Sequence, residues 1–106
     1  MQERGKGIRL MESEHRPLRI IETDTVMVHG GNVLLRFIAL DGQEDWQYGF
    51  YLTPDRLPDL LRFLHVEDTG FSALKGLTVT CDVDTDTDLI PNLYDGNGVA
   101  FPGIRL

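Results

Sequence analysis

Residues Thr80 to Asp88 read TCDVDTDTD, so carboxylates recur at Asp82, Asp84, Asp86 and Asp88. Side chains of this type at this density offer three chemistries: a divalent-cation site, an acidic surface for a basic partner, or the solvated side of a strand. The spacing argues against a calcium loop. With Asp82, Asp84 and Asp86 as the first, third and fifth loop positions, Thr87 stands where glycine is required and Leu93 where a bidentate glutamate belongs. Moving the frame by two brings Asp95 to the last position, but it puts Leu89 at the glycine position. Carboxylates two residues apart on an extended strand are separated by about 6.5 to 7 Å, too far to share an ion unless the chain turns. Divalent-cation binding therefore stays an alternative, and no metal ligand is assigned.

Other reactive side chains are sparse. His15, His29 and His65 show no metal-ligand spacing, and Cys81 occupies an apolar position of a strand pattern. Ser13 and Ser72 are the only serines, and neither lies in a nucleophile-elbow motif. The GKG of residues 5–7 and the DGNG of residues 95–98 lack the helix and lysine of a phosphate loop. These absences point to a non-enzymatic protein with no cofactor. Trp46, Tyr48 and Phe50 stand at strand spacing and could stack bases, but in so short a chain they are expected to form the core under the helix. Tyr51, on the opposite face, is expected to join Arg36 and Gln47 in an exposed sheet surface able to bind a partner.

The elements that must position these residues follow from periodicity. PLRIIETDTVMVH is rich in β-branched residues, and GGN at 30–32 separates it from VLLRFIAL as a hairpin turn. DGQED at 41–45 leads into WQYGFYL, a third strand with an alternating apolar face. In TPDRLPDLLRFLH, Leu57, Leu60, Leu61 and Leu64 fall at helical spacing and predict an amphipathic helix over the sheet, ending by residues 67–70. GLTVTCDVDTDTD alternates again, with Leu77, Val79, Cys81 and Val83 inward and the aspartates outward. Turn chemistry at 95–98 followed by Val99 and Phe101 fits either a last hairpin or an ordered tail. The expected fold is thus α+β: a three-stranded antiparallel meander packed on one helix, with one or two further C-terminal strands.

One hundred and six residues suffice for a single domain. The polar first sixteen are expected to be a mobile basic arm, leaving 17–106 as the domain. Residues 1–19 hold five of the ten basic side chains and carry a net +2, so the rest of the chain carries −9 of the total −7. A body so acidic disfavours nucleic acid and anionic membranes and suits a basic protein partner. The lone cysteine, the lack of an apolar leader and the lack of a spanning segment predict a cytoplasmic protein without disulfides.

The stretch LPDLLRFLHVEDTGFSALKGLTVTCDVD resembles the helix, L-x-G and strand pattern of small uncharacterised proteins of phages and other mobile elements. Its carriers are Leu60, Leu61, Leu64, Val66, Leu74, Gly76, Val79 and Asp82. That resemblance implies a small accessory or inhibitory protein that works by binding and transfers no catalytic residue. The functional expectation is a protein-binding domain using Asp82, Asp84, Asp86, Asp88 and Asp95, with Tyr51 and Arg36 as a second exposed group. A ligand- or cation-binding module and a self-associating subunit are the alternatives.

Overall fold

The computed structural model describes residues 15–67 and 70–106. Most of the segment expected to be a mobile arm lies outside these residues. Strand β1 (Arg16–Met27) begins at Arg16, one residue inside that segment. It is followed by β2 (Val33–Asp41) and β3 (Trp46–Leu52), each pairing antiparallel with its predecessor. Gly30 and Gly31 both take positive φ in the first turn, at 89° and 80°, a conformation that a side chain resists. Alternation holds Leu18, Ile20, Phe37, Ala39, Tyr48, Phe50 and Leu52 on one buried face. A bulge between Ile20 and Glu22 interrupts the β1–β2 register.

After β3 the chain makes a 3₁₀ turn (Pro54–Arg56) that continues into helix α1 (Leu57–Phe63). Leu60 and Leu61 are buried, while Leu57 and Leu64 pack partly buried against the core. A second 3₁₀ turn (Phe71–Leu74) buries Leu74 and precedes β4 (Thr78–Cys81), β5 (Asn92–Tyr94) and β6 (Ala100–Pro102). β4 pairs antiparallel with the start of β1, β5 with β4, and β6 with β5.

The expected meander on one helix is therefore corrected, among the described residues, to a six-stranded antiparallel sheet in the order β3-β2-β1-β4-β5-β6. The physical reason lies in the helix. Seven residues at about 1.5 Å each reach only about 10 Å, too little to cover a sheet face. The sheet instead curls so that edge strand β3 is bonded by residues 88–90 and by the residue Ile104 beyond β6. Gly49 of β3 donates its N–H to Asp88 O at 3.0 Å and accepts from Ile90 N–H at 2.8 Å, and Ile104 N–H donates to Tyr51 O at 2.9 Å. Phe50 of β3 lies between Phe37 of β2 (centroids 5.0 Å apart) and Phe101 of β6 (6.3 Å), so residues from both ends of the strand order share one core. Phe63 of α1 packs on Phe101 at 5.4 Å, closing one side.

The second correction concerns the aspartates. The ordered strand stops at Cys81, so Asp82 to Asp88 are not one face of an extended strand. Asp84 pairs with Leu89 in an isolated bridge, and the residues between them form a tight loop.

Candidate functional site

Loop 84–89 is held by its own aspartates. Asp84 N–H donates to Leu89 O at 2.8 Å, Asp88 N–H donates to Asp84 O at 2.8 Å, and Asp84 Oδ1 accepts Asp86 N–H at 2.9 Å. This last contact is an Asx turn, a local structure for which aspartate is favoured. Asp88 takes φ 59°, which asparagine and aspartate tolerate better than other side chains. Its carbonyl then meets Gly49 of β3, so the loop is sewn to the sheet.

The four carboxylates consequently have different duties. Asp82, half-buried, accepts Asn92 N–H at 3.0 Å and the Tyr94 hydroxyl at 3.0 Å, tying β4 to β5. Burial, the hydrogen bond to Asp82 and its charge push the Tyr94 hydroxyl pKa above its ordinary value. Asp84 is spent on the loop, Asp86 is exposed, and Asp88 Oδ1 accepts the indole N–H of Trp46 at 2.9 Å. Asp95 sits apart, organising the β5–β6 turn by accepting Asn97 N–H and Val99 N–H, both at 2.9 Å. Arg36 and Tyr51 are register partners on the outer face of β2 and β3, and Asp24 of β1 is opposite Arg36. The Asp24 carboxylate accepts from Arg36 Nε and Nη2, so that guanidinium is already engaged. Hydrogen bonding to Asp24 and then to Tyr51 raises the Arg36 pKa above its ordinary value. The structure therefore does not bring the seven sequence-predicted residues into one site.

It assembles a different one around Trp46. This indole, expected in the core, is 52% exposed, whereas Tyr48, Phe50 and Leu52 are buried. Trp46 opens β3 beside the 42–45 turn, where no element among the described residues covers it fully, and Asp88 fixes its ring edge. A groove of about 250 Å³ on one side is lined by Glu44, Trp46, Tyr48, Thr85 and Asp88. A second of about 300 Å³ is lined by Asp45, Trp46, Gln47 and Asp88. Burial, followed by the charge of Glu44, pushes the Tyr48 hydroxyl pKa upward, so the phenol bordering the first groove stays neutral at ordinary pH.

Beneath the turn, Asp41 is only 4% exposed and pairs with Arg16, whose Nη1 lies 2.9 Å from Asp41 Oδ2 and 3.1 Å from Glu44 Oε1. Gln43 N–H donates to Asp41 Oδ1 at 3.0 Å and shapes the turn, while Asp45 takes φ 55°. Buried charge is tolerated here because it is both paired and hydrogen-bonded. The opposite flank of loop 84–89 holds a smaller cavity, about 140 Å³, lined by Leu89, Ile90, Pro91 and Ile104 together with Asp84 and Arg105.

Trp46, Glu44 and Asp45 are the residues that alternation alone misses. The available signal was their adjacency, since QEDW places two carboxylates directly before a tryptophan at a strand's first position. Among the described residues, no three His, Cys, Asp or Glu side chains converge to hold a metal ion. Nor is any helix among them long and apolar enough to cross a membrane. The chain matches no family model, no curated protein and no solved structure in the comparisons made.

Proposed function

We propose that this chain is a small non-enzymatic protein-binding domain that takes a basic segment of a partner against Trp46 and the carboxylates around it. One observation carries the reading: a half-exposed indole is held in a fixed orientation by Asp88, with Glu44 and Asp45 at its rim. An aromatic plate whose rotamer is already restrained loses little entropy on binding, and tryptophan and tyrosine dominate interface energetics for that reason. Carboxylates beside the π face favour a lysine or arginine, through cation–π attraction and charge complementarity together. Asp86 adds a further exposed carboxylate on the same loop and serves long-range attraction more than contact. An accessory or inhibitory role of the kind seen among small phage and mobile-element proteins, in a cytoplasmic setting, fits this chemistry.

Trp46 is the only tryptophan, so its fluorescence reports on the site directly. Titration with lysine-rich and arginine-rich peptides at two salt concentrations is the test, run on the wild type and on Trp46→Ala and Asp88→Asn, with affinities for the variants measured by calorimetry. Expected is saturable quenching that weakens with salt, and at least about tenfold weaker binding of Trp46→Ala. Equal affinity of all three proteins for the peptides would remove the indole and its carboxylate from any binding role.

A further inference from the structure

Among the described residues, the β1–β2 hairpin carries an open edge. On the side away from β2, β1 is covered by β4 only over Arg16–Arg19. The coverage extends to Ile20, whose N–H donates to Leu77 O at 2.8 Å and whose carbonyl accepts Gly76 N–H at 2.7 Å. Beyond the bulge, β1 runs on to Met27 with β2 on one side and, among the described residues, no strand on the other. Backbone parity identifies which groups face out. Val28 N–H donates to Asn32 O at 2.9 Å and closes the hairpin on the β2 side. Alternation then directs the polar groups of Val26, Asp24 and Glu22 to β2, and those of Thr23, Thr25 and Met27 to the open edge. Ile20, two residues before Glu22, faces β4 instead, so the bulge reverses the parity.

Such a row of N–H and C=O groups is a template for another strand, and proteins normally blunt it with lysine, proline or an inward charge. Residues 21–27 contain no lysine and no proline, and the bulge lies at their start: the threonines favour extended structure, and Asp24 is held on the outer face by Arg36. At the hairpin's tip Met27 is 74% exposed.

We propose that this edge pairs antiparallel with the same edge of a second copy of the chain, about a twofold axis at Thr25. The edge is self-compatible in one register, and the charges select it. With the axis at Thr25, Thr23 faces Met27 of the other copy, Asp24 faces Val26 and Glu22 faces Val28, so no carboxylate opposes another. An axis at Thr23 sets Glu22 against Asp24, and an axis at Asp24 sets that carboxylate against its own copy, both unfavourable pairings. An axis at Val26 avoids the clash but pushes Thr23 past the strand, against His29. Only the Thr25 axis uses all three outward N–H groups of each chain without opposing like charges. The contact is independent of the Trp46 surface.

Sedimentation equilibrium on the full chain across a micromolar to near-millimolar range tests this, with circular dichroism confirming that each variant keeps its fold. Thr25 is exposed, so Thr25→Lys and Thr25→Glu are compatible with folding. The wild type is expected to dimerise, each variant alone to dimerise about fivefold or more weakly, and an equimolar mixture of the two to recover a mixed dimer, because the axis sets the lysine opposite the glutamate. Thr25→Pro, which removes an outward N–H and leaves the β2 ladder intact, is expected to abolish the dimer. A wild type that stays monomeric overturns the proposal and leaves the edge for a strand of another protein. A dimer indifferent to Thr25→Lys, or a mixture without preference for the mixed pair, overturns it equally.

Discussion

Cys81 shows how position in the fold decides whether a reactive residue type is reactive. Its thiol is fully buried at the end of β4 and lies 3.8 Å from Arg16 O. Burial, reinforced by the charge of Asp82, pushes its pKa up to about 12. A thiol that stays protonated is a poor nucleophile, so iodoacetamide at pH 8 should leave the native chain unmodified and label it fully in denaturant. The same shift has a consequence for stability. In the unfolded chain the thiol ionises near its ordinary value of 9.0, while the folded one holds its proton to about 12. Over that window the unfolded state binds fewer protons, so stability falls as pH rises from about 9 towards 12. Urea unfolding at pH 8 and at pH 10.5 should show this fall, and Cys81→Ala should shrink it; an unchanged slope would assign the fall to other groups, such as Tyr48 and Tyr94. Alternation in the sequence already placed Cys81 inward. It misplaced Trp46 because a period-two pattern gives the side of a strand on which a residue lies and not how far the covering elements extend along it.

At the scale of elements, the end of α1 is more informative than its length. Leu64 N–H donates to Leu60 O, His65 N–H to Arg62 O and Val66 N–H to Leu61 O, at 3.0, 3.2 and 2.8 Å. The last two bonds form a Schellman cap, whose left-handed residue is usually glycine. Here it is His65 at φ 59°, carrying a side chain where one is disfavoured. His65→Gly should therefore raise stability by roughly 0.5 to 1 kcal/mol, the relief of backbone strain outweighing the greater freedom of the unfolded chain. A lower urea midpoint in the variant would mean that the imidazole makes a compensating contact. The leucine spacing made the helix legible, whereas its short span was not, because Pro54 and Pro58 favour a 3₁₀ start and nothing in the pattern announces a cap without glycine. The aspartate ladder failed for a related reason. Alternation of polar residues with threonine and valine reads as a strand, yet local Asx bonding from Asp84 and the left-handed Asp88 turn the chain there.

At the scale of the molecule, one close approach decides whether the six strands remain an open sheet. The joining of β3 to the C-terminal segment was illegible in the sequence because it depends on pairings between residues some forty to fifty positions apart, made one or two at a time at Gly49 and Tyr51. Gly103 sits at the seam. Its N–H donates to Pro91 O at 2.8 Å, and the next residue, Ile104, reaches Tyr51 O. A Cβ on Gly103 would come within 2.7 Å of Phe50 Cε1, 3.0 Å of Cδ1 and 3.3 Å of Ile90 O. Phe50 has little room to yield, being fully buried with Phe37 stacked on it and Phe101 beside it. Gly103→Ala should thus cost about 1 to 3 kcal/mol through overpacking, read as a lower midpoint in urea. Hydrogen exchange distinguishes where the cost falls. If the seam opens as a unit, the amides of Gly49, Ile90 and Ile104 lose protection while those of the β1–β2 ladder keep theirs. Uniform loss over every strand would instead show that closure and sheet fold in one cooperative step, and wild-type stability would mean that the ring and the seam adjust together at little cost.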